Sequence, residues 1–125
     1  MIHGDFWAGN LVWDAERVAA VLDWSEARVD LLARELAWST FEFGHDGTNS
    51  RLDAERARTF LAGYRAASGP WEPGLDEALV PLMRIELRAH ARYSIGDAGD
   101  IEYNTALQHA FAELRNDTGA ALIDR

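Results

Sequence analysis

Cysteine and lysine are both absent from the 125 residues. Without cysteine there is no disulfide framework and no thiolate metal site, and the redox compartment stays open. Without lysine the positive charge is all arginine, and 12 basic against 21 acidic residues leave a formal net charge of −9. A nucleic-acid surface needs cations against the phosphate backbone, so this balance argues against a nucleic-acid partner. It also makes a lone anionic substrate awkward unless a cation or a local arginine cluster mediates. No apolar run approaches the roughly 18–20 residues of a membrane span, and no charged n-region followed by an apolar h-region opens the chain. The expectation is a cytoplasmic protein with neither membrane nor nucleic acid as partner. Apolar side chains, by contrast, are plentiful: 48% of residues are hydrophobic, among them five Trp, five Phe and three Tyr. With 26% charged residues interspersed, this is a globular composition, sized for one domain and one core.

Two short apolar runs, residues 11–13 and 18–22, flank Asp14-Ala15-Glu16-Arg17 and predict a β-hairpin with a polar turn. From Asp30 the spacing turns helical, through Leu31, Leu32 and Leu36 to Gly44. Residues 45–51 read as a loop. Ser50 and Asp53 have the spacing of a capping box, ahead of an Ala57, Phe60, Leu61, Tyr64 stripe. Gly69-Pro70 and Pro73-Gly74 break the chain before a helix over 75–93, which Pro81 either kinks or starts. A second loop is expected at 96–100, and a last amphipathic helix over 101–114. The fold class expected is α+β, mainly α.

The chemistry concentrates in the opening, His3-Gly4-Asp5-Phe6-Trp7-Ala8-Gly9-Asn10, and in Asp23-Trp24 at the end of the second apolar run. An Asp followed five positions on by an Asn is the spacing of a kinase catalytic loop. Phosphoryl transfer to an alcohol needs a carboxylate that orients the hydroxyl and accepts its proton. It also needs hard oxygen ligands that hold Mg²⁺ against the nucleotide phosphates. One loop supplies the Asp and the Asn, the hairpin a second carboxylate, and Gly4 and Gly9 let the loop turn tightly. A bare H-x-D-x-x-x-x-N arises by chance in roughly one in a few hundred chains of this length, and the hairpin with its terminal Asp makes coincidence rarer still.

Over about its first 38 residues, from His3-Gly4-Asp5 through Val18-Ala19-Ala20-Val21-Leu22-Asp23-Trp24 to Glu35-Leu36-Ala37-Trp38, the chain resembles the aminoglycoside phosphotransferase/choline kinase-like superfamily, homoserine-kinase-like members included. The resemblance implies the C-terminal lobe of a protein-kinase-like fold, with residues 1–29 as catalytic loop and metal-binding hairpin and residues 30–125 as a helical substrate subdomain. It implies Asp5 as the catalytic base, Asn10 and Asp23 as Mg²⁺ ligands, His3 as loop support, and ATP as cosubstrate. Glu35 stands where the family more often carries Asp, on the helix that anchors the catalytic loop.

Other polar residues carry two readings each. Glu26 and Asp30 border the substrate in the family, or are solvated loop carboxylates and a helix start. Arg84, Arg88 and Arg92 recur every four residues; such a ridge attracts an anionic substrate group or is simply a solvated face. His45, His90 and His109 form no metal pair and read as surface or satisfied core. Trp7 and Trp24 flank the site, with core packing the commoner fate of such residues.

Neither the Gly-rich turn over the phosphates nor the strand lysine of a kinase can be placed, so the nucleotide-binding N-terminal lobe is expected to be absent. The leading expectation is a phosphotransferase catalytic lobe acting on a hydroxyl of a small molecule, truncated and inactive when alone. A non-catalytic binding module, or half of a split enzyme that pairs with an N-lobe or another copy across an apolar face, is the alternative. A small helical structural protein with an accidental motif comes third.

Overall fold

In the computed structural model, residues 1–93, 101–114 and 122 are described. A single 3₁₀ turn, Ala8–Asn10, leads into an antiparallel hairpin of β1 (Leu11–Asp14) and β2 (Arg17–Val21). Four helices follow: α1 (Leu32–Gly44), α2 (Ala54–Ala66), α3 (Leu75–Tyr93) and α4 (Ile101–Glu113). The protein is α+β and mainly α, as its hydrophobic patterning predicts. The expected loop at 96–100 lies outside the described residues.

The hairpin forms where β-branched and aromatic residues flank a polar turn, with Ala15 at φ 53° completing the reversal. Leu11 pairs with Val21 and Val12 with Ala20, and the register slips between Val12 and Trp13. The strand residues of this hairpin are mostly exposed. Ten large hydrophobic residues between Met1 and Leu32 are exposed, Trp13 at 55% and Trp24 at 56% among them.

The core lies instead among the helices, and α1 is its centre. Residues 36–41 are buried without a break, so this stretch of α1 has no solvent face. It packs against α2 on one side and α3 on another, and α3 in turn holds α4. Leu79, Met83 and Leu87 of α3 are fully buried against Phe41 of α1 and Leu107 and Ala110 of α4. Each such side chain contributes roughly 1.5–3 kcal/mol relative to exposure. At Gly44 the backbones of α1 and α2 approach so closely that a Cβ would lie 2.9 Å from the Ala57 Cβ.

One expectation is corrected. The cap of α2 is Asp53 itself, whose Oδ1 accepts from the backbone N–H groups of Glu55 (2.9 Å) and Arg56 (3.1 Å). Ser50 lies in the preceding loop, bonded to the Thr48 hydroxyl. An antiparallel bridge between His45 and Leu52 keeps that segment extended, so no helix begins there. Of the two readings of Pro81, the structure takes the one inside the helix: α3 runs Leu75–Tyr93 with Pro81 within it. Its missing N–H leaves the Glu77 carbonyl without its intrahelical donor.

Candidate active site

The opening loop is held from three directions. Ile2 bridges Arg28, with Ile2 N donating to Arg28 O at 2.9 Å and Arg28 N to Ile2 O at 3.3 Å. This closes the segment from loop to hairpin into one unit. Gly4 turns it at φ +88°, where a Cβ would meet the Glu26 carbonyl oxygen at 2.3 Å; only glycine fits. The Gly4 N–H donates to Glu35 Oε1 at 2.7 Å, so the longer carboxylate reaches the loop from α1 below it. One helix turn further, Ser39 of α1 donates to the Phe6 carbonyl at 3.1 Å.

His3 is buried and joins the two halves of the site. Its Nδ1 accepts the Asp5 backbone N–H at 3.3 Å, and its Nε2 lies 2.8 Å from the Leu22 carbonyl. An Nδ1 that accepts leaves the proton on Nε2, which donates to Leu22. Leu22 N in turn donates to the Asn10 carbonyl at 2.8 Å. Asp5, Asn10 and the residue before Asp23 are thereby fixed to one another.

The Asn10 amide nitrogen donates to Asp5 Oδ2 at 3.0 Å and to the Asp5 carbonyl at 2.8 Å. Its Oδ1 takes part in neither bond. Asp23 sits at φ 53°, a region that Asp tolerates better than most residues. Its Oδ1 accepts from the Ser25 hydroxyl at 2.7 Å and from the Ser25 N–H at 3.4 Å. The hydroxyl first, then the N–H, hold this exposed carboxyl below its ordinary range, so it stays ionised. Oδ1 of Asn10 and Oδ2 of Asp23 are not committed by these bonds, and both are hard oxygen atoms of the kind that Mg²⁺ takes as ligands. Among the described residues no group of three or more His, Cys, Asp or Glu could hold a metal; an Asn–Asp pair needs oxygens from another molecule to complete the shell.

Asp5 stands between two cavities. The larger, about 580 Å³, has Asp5, Glu26, Arg28, Arg34, Glu35 and Glu86 in its wall. The second, about 460 Å³, has Asp5, Trp7, Glu42, His45, Asn49 and Tyr103. Trp38 and His90 line both, stacked at 3.7 Å between ring centroids with planes 3° apart. Both arginines of the larger cavity are engaged. Arg34 meets Glu86 at 2.7 Å and Asp30 at 2.8 Å, while Arg28 meets Asp30 at 3.1 Å.

Of the residues singled out from sequence, Asp5, Glu26 and Glu35 face the larger cavity, while Asp30 is spent on Arg28, Arg34 and the Leu31 N–H. Arg84 and Arg88 lie with their guanidinium carbons 4.3 and 5.7 Å from the Phe111 ring centroid and line neither cavity. Trp7 and Trp24 are exposed rather than core, and Trp24 tilts against His3 at 4.6 Å.

The sequence reading gave Trp38 and Glu42 no part in the site and took His90 as surface or satisfied core. A signal existed: Glu35, Trp38 and Glu42 fall at i, i+3 and i+7 on α1, one helix face running from the loop anchor into the second cavity.

The sequence model of the Phosphotransferase enzyme family matches residues 1–78, from the opening loop to the first turn of α3. No curated protein and no solved structure matches the chain significantly. The matched stretch is more than half of the molecule and contains the loop, the hairpin and the loop-anchoring helix, and the chain belongs to the phosphotransferase enzyme family.

Proposed function

We propose that this chain carries the catalytic loop and metal-holding hairpin of an ATP-dependent phosphotransferase that acts on a hydroxyl group of a small molecule. The observation that carries this reading is the hydrogen-bonded chain Asp5–Asn10–Leu22, cross-tied by His3, which leaves Asp5 Oδ1 out of these bonds and ties the loop to the residue before Asp23. Asp5 orients the acceptor hydroxyl and takes up its proton as the oxygen attacks. Asn10 and Asp23 hold Mg²⁺, which when bound neutralises the nucleotide phosphates. Glu35 and His3 touch no substrate; they fix the loop. In this proposal residues 1–29 are the chemical part and residues 30–125 the helical, acceptor-binding part, together corresponding to the C-terminal lobe of a kinase-like fold.

A strand lysine against the nucleotide phosphates is supplied from outside these 125 residues, which contain none. The exposed apolar side chains Val12, Trp13, Val18, Leu22 and Trp24 support a covering lobe over the hairpin, from another segment or another chain. No described helix is long and apolar enough to cross a membrane, and a nucleotide-dependent reaction on a small metabolite is proposed for the cytoplasm.

The test is phosphoryl transfer from γ-labelled ATP to a panel of small alcohols, by the chain together with a supplied nucleotide-binding lobe. Asp5→Asn is expected to lower the rate by about 10²–10⁴-fold. Transfer that survives Asp5→Asn undiminished overturns the proposal.

A further inference from the structure

The outer face of α3 carries positive charge that the chain itself leaves unanswered. Arg84, Arg88 and Arg92 stand at i, i+4 and i+8, and Pro81 and Ile85 share their side of the helix. Ile85 is 54% exposed, and Arg88 and Arg92 are exposed with it. Phe111 of α4 meets this face: its ring centroid lies 4.3 Å from the guanidinium carbon of Arg84 and 5.7 Å from that of Arg88. Two like charges thus share one aromatic ring. Arg28, Arg34, Arg51 and Arg65 each meet a carboxylate; among the described residues Arg84 and Arg88 meet none.

In a chain with 21 acidic against 12 basic residues, an arginine pair without an acidic partner is the exception, and helix geometry accounts for it. Besides each other, Arg84 and Arg88 have Val80, Pro81, Ile85, Leu87, Ala91 and Arg92 at three and four residues' distance, with no Asp or Glu among them. Glu86 turns inward to Arg34 at 2.7 Å, and Asp76 is taken by Arg65 at 3.1 Å. Glu77 shares the face but precedes Arg84 by seven residues, about 10 Å along the axis.

We propose that this face of α3 is an interaction surface for an acidic amphipathic helix of a partner protein. Two carboxylates one turn apart on that helix meet Arg84 and Arg88, and an apolar side chain beside them covers Ile85. Charge complementarity gives the partner its sign. Spacing gives it its form, since cations four residues apart on one helix match carboxylates four apart on another. An exposed apolar residue flanked by arginines has the composition of an interface centre. Guanidinium groups already stacked on Phe111 lose less freedom when a partner arrives. The net charge of −9 opposes an acidic partner at long range, but screening over about 8 Å at physiological ionic strength leaves contact pairs to decide. None of Arg84, Ile85 and Arg88 lines either cavity at Asp5, and the inference is independent of the phosphotransferase reading.

The experiment titrates a hydrocarbon-stapled helical peptide, with Glu at two positions one turn apart and Leu beside them, into the isotope-labelled full chain without nucleotide. A second peptide carries Gln at both Glu positions. The readouts are the Arg84 and Arg88 Nε–H resonances, assigned with Arg84→Lys and Arg88→Lys, and the Ile85 methyl resonances. The Glu peptide is expected to shift all of them and to bind at least about tenfold more tightly than the Gln peptide. Arg84→Gln and Arg88→Gln together are expected to weaken it by about tenfold or more, and Ile85→Ser several-fold. Arg88→Gln alone, at an exposed position, is expected to weaken it several-fold and keeps the test decisive should the double variant fail to fold. Equal affinity for the two peptides, shifts that spare these residues, or full affinity in the arginine variants overturns the proposal. So do the same shifts produced by inorganic phosphate alone, which mark a small-anion site, and shifts that grow with the chain's own concentration, which mark a second copy.

Discussion

At the residue scale, His3 and Glu42 have opposite stability consequences. His3 is buried and uses both ring nitrogens, one toward Asp5 and one toward Leu22. His3→Ala leaves the Leu22 carbonyl and the Asp5 N–H without those partners, at a cost of roughly 1–3 kcal/mol. The loosened Asp5 then costs on the order of 10²-fold in transfer rate. Denaturant melts and the transfer assay check the two parts. Glu42 works against the fold at high pH. Its folded carboxyl titrates at about 7 against an ordinary value of 4.5, so between these values the native state binds more protons than the unfolded one. Stability therefore falls as pH rises from about 4.5 to about 7, by up to about 3 kcal/mol. Glu42→Gln is expected to flatten that stretch of the pH–stability curve, as urea midpoints from pH 4.5 to 8 will show.

At the element scale, the helices and the hairpin follow from pattern and local chemistry. Asp53 caps α2 through two N–H groups, so Asp53→Ala should destabilise by about 1 kcal/mol, while Ser50→Ala in the loop should stay within about 0.5 kcal/mol. Thermal midpoints of the two variants decide between the caps. The interior of α3 is more demanding: Met83→Ala, at a fully buried position, should cost about 2–5 kcal/mol. The hairpin, the break at 68–74 and the 75–93 helix were legible because alternation, Gly-Pro pairs and 3.6-residue spacing are local signals. The cap was misplaced because Ser50 satisfies the local rule, while the His45–Leu52 bridge, a feature of the folded loop, decides where α2 begins. Asp5, Asn10 and Asp23 stood out as candidates because their spacing is a local signal. The Trp38–His90 stack did not, since it joins helices 52 residues apart, and periodicity shows which residues turn inward but not which polar neighbours they meet.

At the scale of the whole molecule, two regions behave differently. The helices bury their apolar stripes against each other, with α1 at the centre. The first 32 residues bring the site's chemistry and leave ten large hydrophobic side chains in water. Single exposed apolar residues are ordinary, but this concentration beside the opening loop is what supports the proposed covering lobe. It also separates stability from chemistry: substitutions on the hairpin's outer face, such as Trp13→Ser, should leave the melting temperature of the helical part nearly unchanged.

We propose that Asn10 and Asp23 act together as cation ligands beside Asp5. Paramagnetic broadening by Mn²⁺ of the isotope-labelled chain tests it most directly, since broadening reports proximity to the ion even when binding is weak. Broadening is expected first at the Asn10 side-chain amide and the Ser25 backbone N–H, with relief by excess Mg²⁺ and loss in Asp23→Asn. Broadening that spares these positions, or that persists unchanged in Asp23→Asn, contradicts it.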